Sequence, residues 1–270
     1  MRFDQMSLIG RVLGLFGKKI VFLSEYDELL EQRYLLRRFT KIEEIAQESN
    51  DPELCRFLVT HIKRSYSQEL QDLLALYFSQ KKVGYFVEFG ATDGIELSNT
   101  YLLESEYGWE GILAEPAKTW HNALRSNRNC HISTECVYSA SGEKLEFSEV
   151  ENRTLSTISK YSDGDSHSIE RLNQTRYEVD TITLLDLLNK FGAPEYIDFL
   201  SIDTEGSEFQ ILQNFPFHHF RFGFICIEHN FTDNERKLDE LLSRNGYHRY
   251  LRHSSEFDGW YLHTDLANNH

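Results

Sequence analysis

Asp203, Glu228 and His229 are the residues of this chain best suited to chemistry. An aspartate follows the apolar run FLSI, and a glutamate–histidine pair follows FICI. Carboxylates and an imidazole brought together can take a proton from a hydroxyl or bind a divalent cation. Asp203 with Glu228 suits Mg²⁺ or Mn²⁺, and adding His229 leans away from Mg²⁺. The alternative is His229 as general base with no metal. Further acids recur in similar places: Glu88 within YFVEF, Glu115 after GILA, and Glu205 and Glu208 just beyond Asp203. Glu208 suits the dipole of a following helix, and a lone histidine is commonly structural. Glu228 is harder to explain by capping, because carboxylates behind apolar runs are rare unless paired or bound.

Such residues need elements to hold them. From Lys82 onward the chain alternates strand and helix patterns. Strands are expected at Tyr85–Phe89, Gly111–Ala114, Ile132–Tyr138, Lys144–Glu149, Ile197–Ile202 and Phe222–Ile227. Helices are expected at Asn99–Glu106, Thr119–Ser126, Leu184–Lys190, Glu208–Asn214 and Asn234–Arg244. This alternation predicts an α/β fold, an open doubly wound sheet with helices on both faces. The tail YHRYLRHSSEFDGWYLH reads as a closing antiparallel hairpin. Residues 24–80 carry helical periodicity, with Asp51-Pro52 as cap and first helical position. The division expected is a helical extension over residues 1–80 and one domain over 81–270. The polar stretch Asn152–Arg176 reads as a long functional loop, a mobile cover over a site.

In doubly wound sheets, ligands sit at the carboxyl ends of the strands. The first strand runs into Gly90, Thr92, Asp93 and Gly94 within YFVEFGATDG. Glycine permits the turn and a close backbone approach, having no Cβ. Glu88 would repel a phosphate, whereas the amino group and sulfonium of S-adenosyl-L-methionine would suit it. Glu115, ending the second strand, can accept from the two hydroxyls of an adenosine ribose. A dehydrogenase is disfavoured, since EFGATDG lacks the G-x-G-x-x-G spacing.

EFGATDG, the AEP of Ala114–Pro116 and FLSIDTEGSEFQIL of Phe199–Leu212 together resemble an FkbM-type methyltransferase, over roughly Val83–Leu262. The resemblance implies a class I, Rossmann-like fold, S-adenosyl-L-methionine as methyl donor, and O-methylation of a small molecule or sugar. It places Glu88, Gly90, Asp93 and Gly94 in the first cofactor motif, Glu115 on the ribose, and Asp203, Glu205 and Gly206 in the DxEG segment. Thr92 and Asn99 join the expected cofactor contacts, and Thr92 stands where many methyltransferases carry a middle glycine. The rival reading is a non-catalytic binding or scaffold protein on the same fold. Loss of the acids would mark that case, and they are present.

A net charge of −15 over 270 residues repels phosphate backbones, so no nucleic-acid partner is expected. Four cysteines form no CxxC pair, which fits a reducing, cytoplasmic setting. No apolar run approaches the ~20 residues that span a bilayer. Ile9, Val12, Leu13 and Phe16 fall on one helical face near Arg11, Lys18 and Lys19. That face suits docking on its own domain or contact with a membrane surface. The sequence leaves the oligomeric state open.

Overall fold

Strand β1 (Tyr85–Phe89) is buried on both faces, from Phe86 through Phe89, and the rest of the fold is arranged around it. The computed structural model describes residues 23–80, 83–150, 157–158 and 174–267. In it β1 lies between β2 (Glu110–Ala114) and β8 (Tyr196–Ile202), parallel to both. Beyond β2 comes β3 (His131–Ser133), and beyond β8 comes β9 (Arg221–Glu228), again parallel. The chain therefore winds one way from β1 and then the other, which leaves a crevice at the strand ends. The expected hairpin closes the sheet. β10 (Tyr247–Arg249) and β11 (Asp258–His263) pair antiparallel, and β11 inserts between β10 and β9.

Alternation along the strands sorts side chains between two layers. Val87, Phe89, Leu200, Ile202, Ile225 and Ile227 form one core with Leu184, Leu187 and Leu188 of α6 (Leu184–Phe191) and with Leu238 and Leu242 of α8 (Asn234–Arg244). On the opposite face Phe199 stacks on Phe224 at 5.4 Å, and Phe78 of α3 (Gln71–Ser79) lies 5.2 Å from Phe224. Each such buried ring stabilises the fold by about 1.5–3 kcal/mol. The same alternation puts Glu88, Ser201 and Cys226 side by side on the α3 face. One step along the strands, Glu228 pairs with Asp258.

A second sheet, in the order β4-β7-β5-β6, joins β4 (Cys136–Val137), β5 (Lys144–Val150), β6 (Thr157–Ile158) and β7 (Gln174–Ile182). It departs from expectation twice. The single strand expected over Ile132–Tyr138 is two, β3 and β4, in different sheets. Ser133 Oγ bonds Glu135 N at 3.3 Å and Oε2 at 2.9 Å, turning the chain between them. The end of the stretch read as a polar loop begins β7, whose outer side chains are exposed and so carry no apolar signal. Within that stretch β6 is also described, whereas its remaining residues and the apolar face at Ile9–Phe16 lie outside the described residues.

The helices ahead of the sheet are α1 (Leu23–Ser49), α2 (Pro52–His61) and α3. Asp51 caps α2 as expected, accepting from Glu53 N at 3.0 Å and Leu54 N at 3.1 Å. The described chain divides into two units between residues 40 and 41. The expected boundary lay at residue 80, but Leu73, Leu74 and Phe78 are buried and α3 packs on β8 and β9. Lys41 is buried, donates to Ser254 O at 2.8 Å and lies 3.1 Å from Glu69. Glu48 accepts from Ser254 N at 2.9 Å, so α1 holds the loop leading into β11. Among the described residues no helix is long and apolar enough to cross a membrane.

A Cβ built on Gly90, at φ +76, would come within 2.1 Å of the carbonyl oxygen of Asp203, whereas one on Gly142, at φ +75, meets nothing. Gly142→Ala is expected to cost the left-handed strain alone, about 1–2 kcal/mol. Gly90→Ala should cost ~1–3 kcal/mol more through overpacking. Thermal unfolding of the two variants checks this, at roughly 2–4 °C per kcal/mol for a chain of this size. An equal loss in both would show that the close approach is not a constraint.

Candidate functional site

The turn after β1 brings backbone up to a cavity at the strand ends. Gly90 N donates to Ala114 O at 3.1 Å, and Thr92 N donates to Glu115 Oε2 at 2.8 Å. Gly90, Thr92, Asn99, Glu115 and Asp203, five of the residues expected to contact the cofactor, line this cavity. Asp93 and Gly94 do not. Asp93 Oδ1 accepts from Ile95 N at 2.8 Å and Glu96 N at 2.9 Å, which closes the turn. Gly94 is needed for packing, because a Cβ there would sit 2.6 Å from Arg128 Cγ.

Glu88 is a correction. Its carboxylate, expected to face a positively charged ligand, does not line the cavity. It accepts from Asn99 N at 2.7 Å, Ser98 Oγ at 3.0 Å and Thr100 Oγ1, with Arg128 at 3.9 Å. Burial still pushes its pKa up, against the pull of Arg128 and these donors. Three hydrogen-bond donors and the Arg128 charge have taken the place assigned to the ligand. What Glu88 does is hold the 98–100 segment, and so Asn99, against the cavity. Asn99 Nδ2 donates to Ser201 Oγ at 2.9 Å, while its Oδ1 is buried with no partner.

Glu115 is buried at the end of β2 and accepts from Ala117 N at 2.7 Å as well as from Thr92 N. Burial pushes its pKa up to about 7, opposed by those two bonds and reinforced by Glu149. Both oxygens keep a lone pair for a further donor. Beyond Glu115 the cavity runs past Cys136, Val137, Phe147 and Ile158, so the second sheet supplies an apolar wall.

At the other end Asp203 and Glu228 come together, as expected. Their carboxylate oxygens lie within 4.8 Å of each other, close enough for the two charges to repel. Asp203 remains exposed at the cavity, where lost hydration first and then the charges of Asp258, Glu208 and Glu88 raise its pKa. Glu228 is raised as well, by burial first and then by Asp203, Glu205, Glu208 and Asp258. Its Oε2 is buried and unpartnered. His229 does not join them. Alternation turns it off the Glu228 face, where Nδ1 accepts from Phe231 N at 3.1 Å and Nε2 lies 3.3 Å from Arg249 Nη2. Burial and Arg249 lower its pKa. The third member is Glu205. Oxygens of Asp203, Glu205 and Glu228 all lie within 4.8 Å of one another, a set that fits a hard cation without histidine. Glu208, the first residue of a short helix over Glu208–Leu212, ties down the loop before it, accepting from Gly206 N at 2.8 Å and Thr204 Oγ1 at 3.0 Å.

Sequence reasoning passed over Gln71 and Asp258. Both line the cavity, and Gln71 Nε2 donates to Asp258 Oδ2 at 2.8 Å. Gln71 sits in helices read as inert, and Asp258 in a hairpin read only as closure. No spacing in the sequence brings the two together. Left-handed backbone occurs in three of the strand-end loops, at Thr92 (φ 48), Glu205 (φ 57) and Asn230–Phe231 (φ 46 and 55). Such conformations cost about 1–3 kcal/mol each and cluster where loops are shaped for ligands. Among the described residues, no Lys, Arg or His lines the cavity, whereas Glu96, Glu115, Asp203, Glu205, Glu228 and Asp258 do.

A comparison with curated proteins finds no match. Among solved structures, the chain is similar to precorrin-6y C5,15-methyltransferase from Geobacter metallireducens GS-15. That likeness has 12% identity over 70% of this chain and 76% of the other, with a TM-score of 0.39. It is also similar to methyltransferase FkbM from Methylobacillus flagellatus KT, at 13% identity over 76% of this chain and 60% of that one, with a TM-score of 0.41. The methyltransferase FkbM domain matches residues 88–249, which hold the β1 turn, Glu115 and the Asp203–Glu228 pair. With that match over more than half its length, and with a Rossmann-like sheet whose strand ends carry the motifs, the chain belongs to the FkbM methyltransferase family.

Proposed function

We propose that the protein transfers a methyl group from S-adenosyl-L-methionine to a hydroxyl of a small molecule or sugar. The observation that carries this reading is the cavity at the switch point of the sheet, lined by six acids and, among the described residues, by no base. Such a cavity disfavours phosphates and suits a ligand with a net positive charge. When bound, the donor supplies an electrophilic methyl on a cationic sulfur. The Gly90–Thr92 backbone and Glu115 would take its nucleoside, with Glu115 accepting from the ribose hydroxyls. Asn99 Oδ1 offers an acceptor to the amino group. Gln68 and Gln71, which belong to the same unit as the sheet, complete the cavity wall. Four unpaired thiols fit a cytoplasmic setting.

In the transfer, the acceptor's O–H bond breaks, an O–CH₃ bond forms, and the sulfur–methyl bond breaks with its electron pair returning to sulfur. The proton goes to the Asp203 carboxylate. A second reading places Mg²⁺ or Mn²⁺ on Asp203, Glu205 and Glu228, favoured by the three converging oxygens. Exhaustive chelation separates the two. Turnover that survives it leaves Asp203 as the base. Turnover lost while donor binding persists assigns a cation.

Calorimetry on the purified protein tests the donor. Binding in the micromolar range is expected, about 7–8 kcal/mol, and Glu115→Ala should weaken it roughly tenfold through loss of charged hydrogen bonds. Failure to bind either S-adenosylmethionine or S-adenosylhomocysteine would remove the proposal.

Glu115, with its pKa pushed up to about 7, adds a pH dependence. Donor binding should tighten as pH rises through about 7, with proton release measurable from the buffer dependence of the heat. Unliganded stability runs the other way. A raised carboxyl contributes stability that is complete below its ordinary pKa and lost as pH rises through the folded value. The unliganded protein should melt at progressively lower temperature across that range, and Glu115→Gln should flatten the slope.

A further inference from the structure

A second cavity lies behind the Asp203–Glu228 pair. Glu205 and Glu228 line both cavities and form their common wall. The polar lining of the second is rich in acceptors: Glu205, Glu228, Gln210 and Asp233, with His229 the sole member of basic type among the described residues. Two of these acceptors, Glu228 Oε2 and Gln210 Oε1, are buried with no hydrogen-bond partner. An unpaired buried oxygen costs about 1–3 kcal/mol, so it marks a place where a donor is missing.

Beside this wall stands Phe231, 73% exposed, between the lining residues Asn230 and Thr232. Its ring meets the His229 ring edge-on at 5.6 Å. An apolar face next to acceptor groups matches a ring with one C–H face and several hydroxyls. The carboxylates on the common wall add a charge preference. An acceptor bearing phosphate or carboxylate would meet Glu205, Glu228 and Asp233 with no guanidinium or ammonium among the described lining residues to offset them.

We propose that the second cavity holds the methyl acceptor, and that this acceptor is a hydroxylated ring carrying a protonated amine, an amino sugar or similar cyclic amino alcohol. This rests on the methyl-transfer reading above. The amine would donate to Glu228 Oε2 and Gln210 Oε1, the apolar ring face would lie on Phe231, and a hydroxyl would reach Asp203 through the common wall.

The test uses full-length protein saturated with S-adenosylhomocysteine, whose binding is first confirmed by calorimetry. Hexosamines, the matching neutral hexoses and the matching uronic acids are then compared by calorimetry and thermal shift. A hexosamine is expected to bind at least tenfold tighter than its neutral partner, with no uronic acid binding. Phe231→Ala should weaken hexosamine and hexose alike, and Glu228→Gln should remove the preference for the amine. A uronic acid that binds as well as the hexosamine, or the failure of every hexosamine, would overturn the proposal. Stabilisation by Mg²⁺ or Mn²⁺ alone, with loss of the amine preference, would also overturn it and give the charge balance to a cation. Failure of S-adenosylhomocysteine itself to bind would sink the methyl-transfer reading instead.

Discussion

The approach of the Gly90 backbone to the carbonyl of Asp203 is the constraint on which the site depends. With no side chain at Gly90, the turn after β1 folds over the end of β8. Thr92 N is thereby brought to Glu115, and the β1 and β8 loops become two walls of one cavity. Any larger residue would push these walls apart. The glycine is therefore required by a distance between two backbones rather than by the turn alone.

Around that contact, charge is arranged against the interest of the unliganded fold. Asp203, Glu228, Glu115 and Asp258 all have raised pKa values, each chiefly from burial. Loss of hydration for several nearby carboxylates is unfavourable, and no basic side chain among the described cavity residues offsets it. The cost is tolerated because the sheet beneath is so well packed, with Phe199, Phe224 and Phe78 on one face and the aliphatic layer under α6 and α8 on the other.

Not every acid serves the cavity. Glu88 and Glu104 both address Arg128, which also donates to Gly94 O at 3.0 Å and Thr100 Oγ1 at 2.9 Å. This buried network fixes the loop between β1 and α4 (Tyr101–Tyr107), and through it Asn99. On the far side, Lys41 and Glu48 hold the 251–257 loop that delivers Phe257 and Asp258 to the cavity. Two polar clusters, one at each flank, thus set the positions of side chains they do not touch.

Periodicity and spacing alone determined the doubly wound sheet, the closing hairpin, the Asp51 cap and the gathering of acids at strand ends. Each follows from local pattern, because a buried strand needs an apolar run and a helix start needs a capping oxygen. Glu115 and the meeting of Asp203 with Glu228 were legible for the same reason: position after a strand places a residue at the crevice. What the tertiary structure decided is where side chains point and what competes for them. His229 follows Glu228 by one residue, and alternation sends it to Arg249 instead of to the acids. Glu88 has the right position but is taken by Ser98, Asn99 and Thr100, ten to twelve residues on. Gln71 and Asp258 meet across 187 positions of sequence, and β3 and β4 part into separate sheets at a single serine turn. Such pairings depend on three-dimensional neighbours, which a period of two or 3.6 residues does not encode.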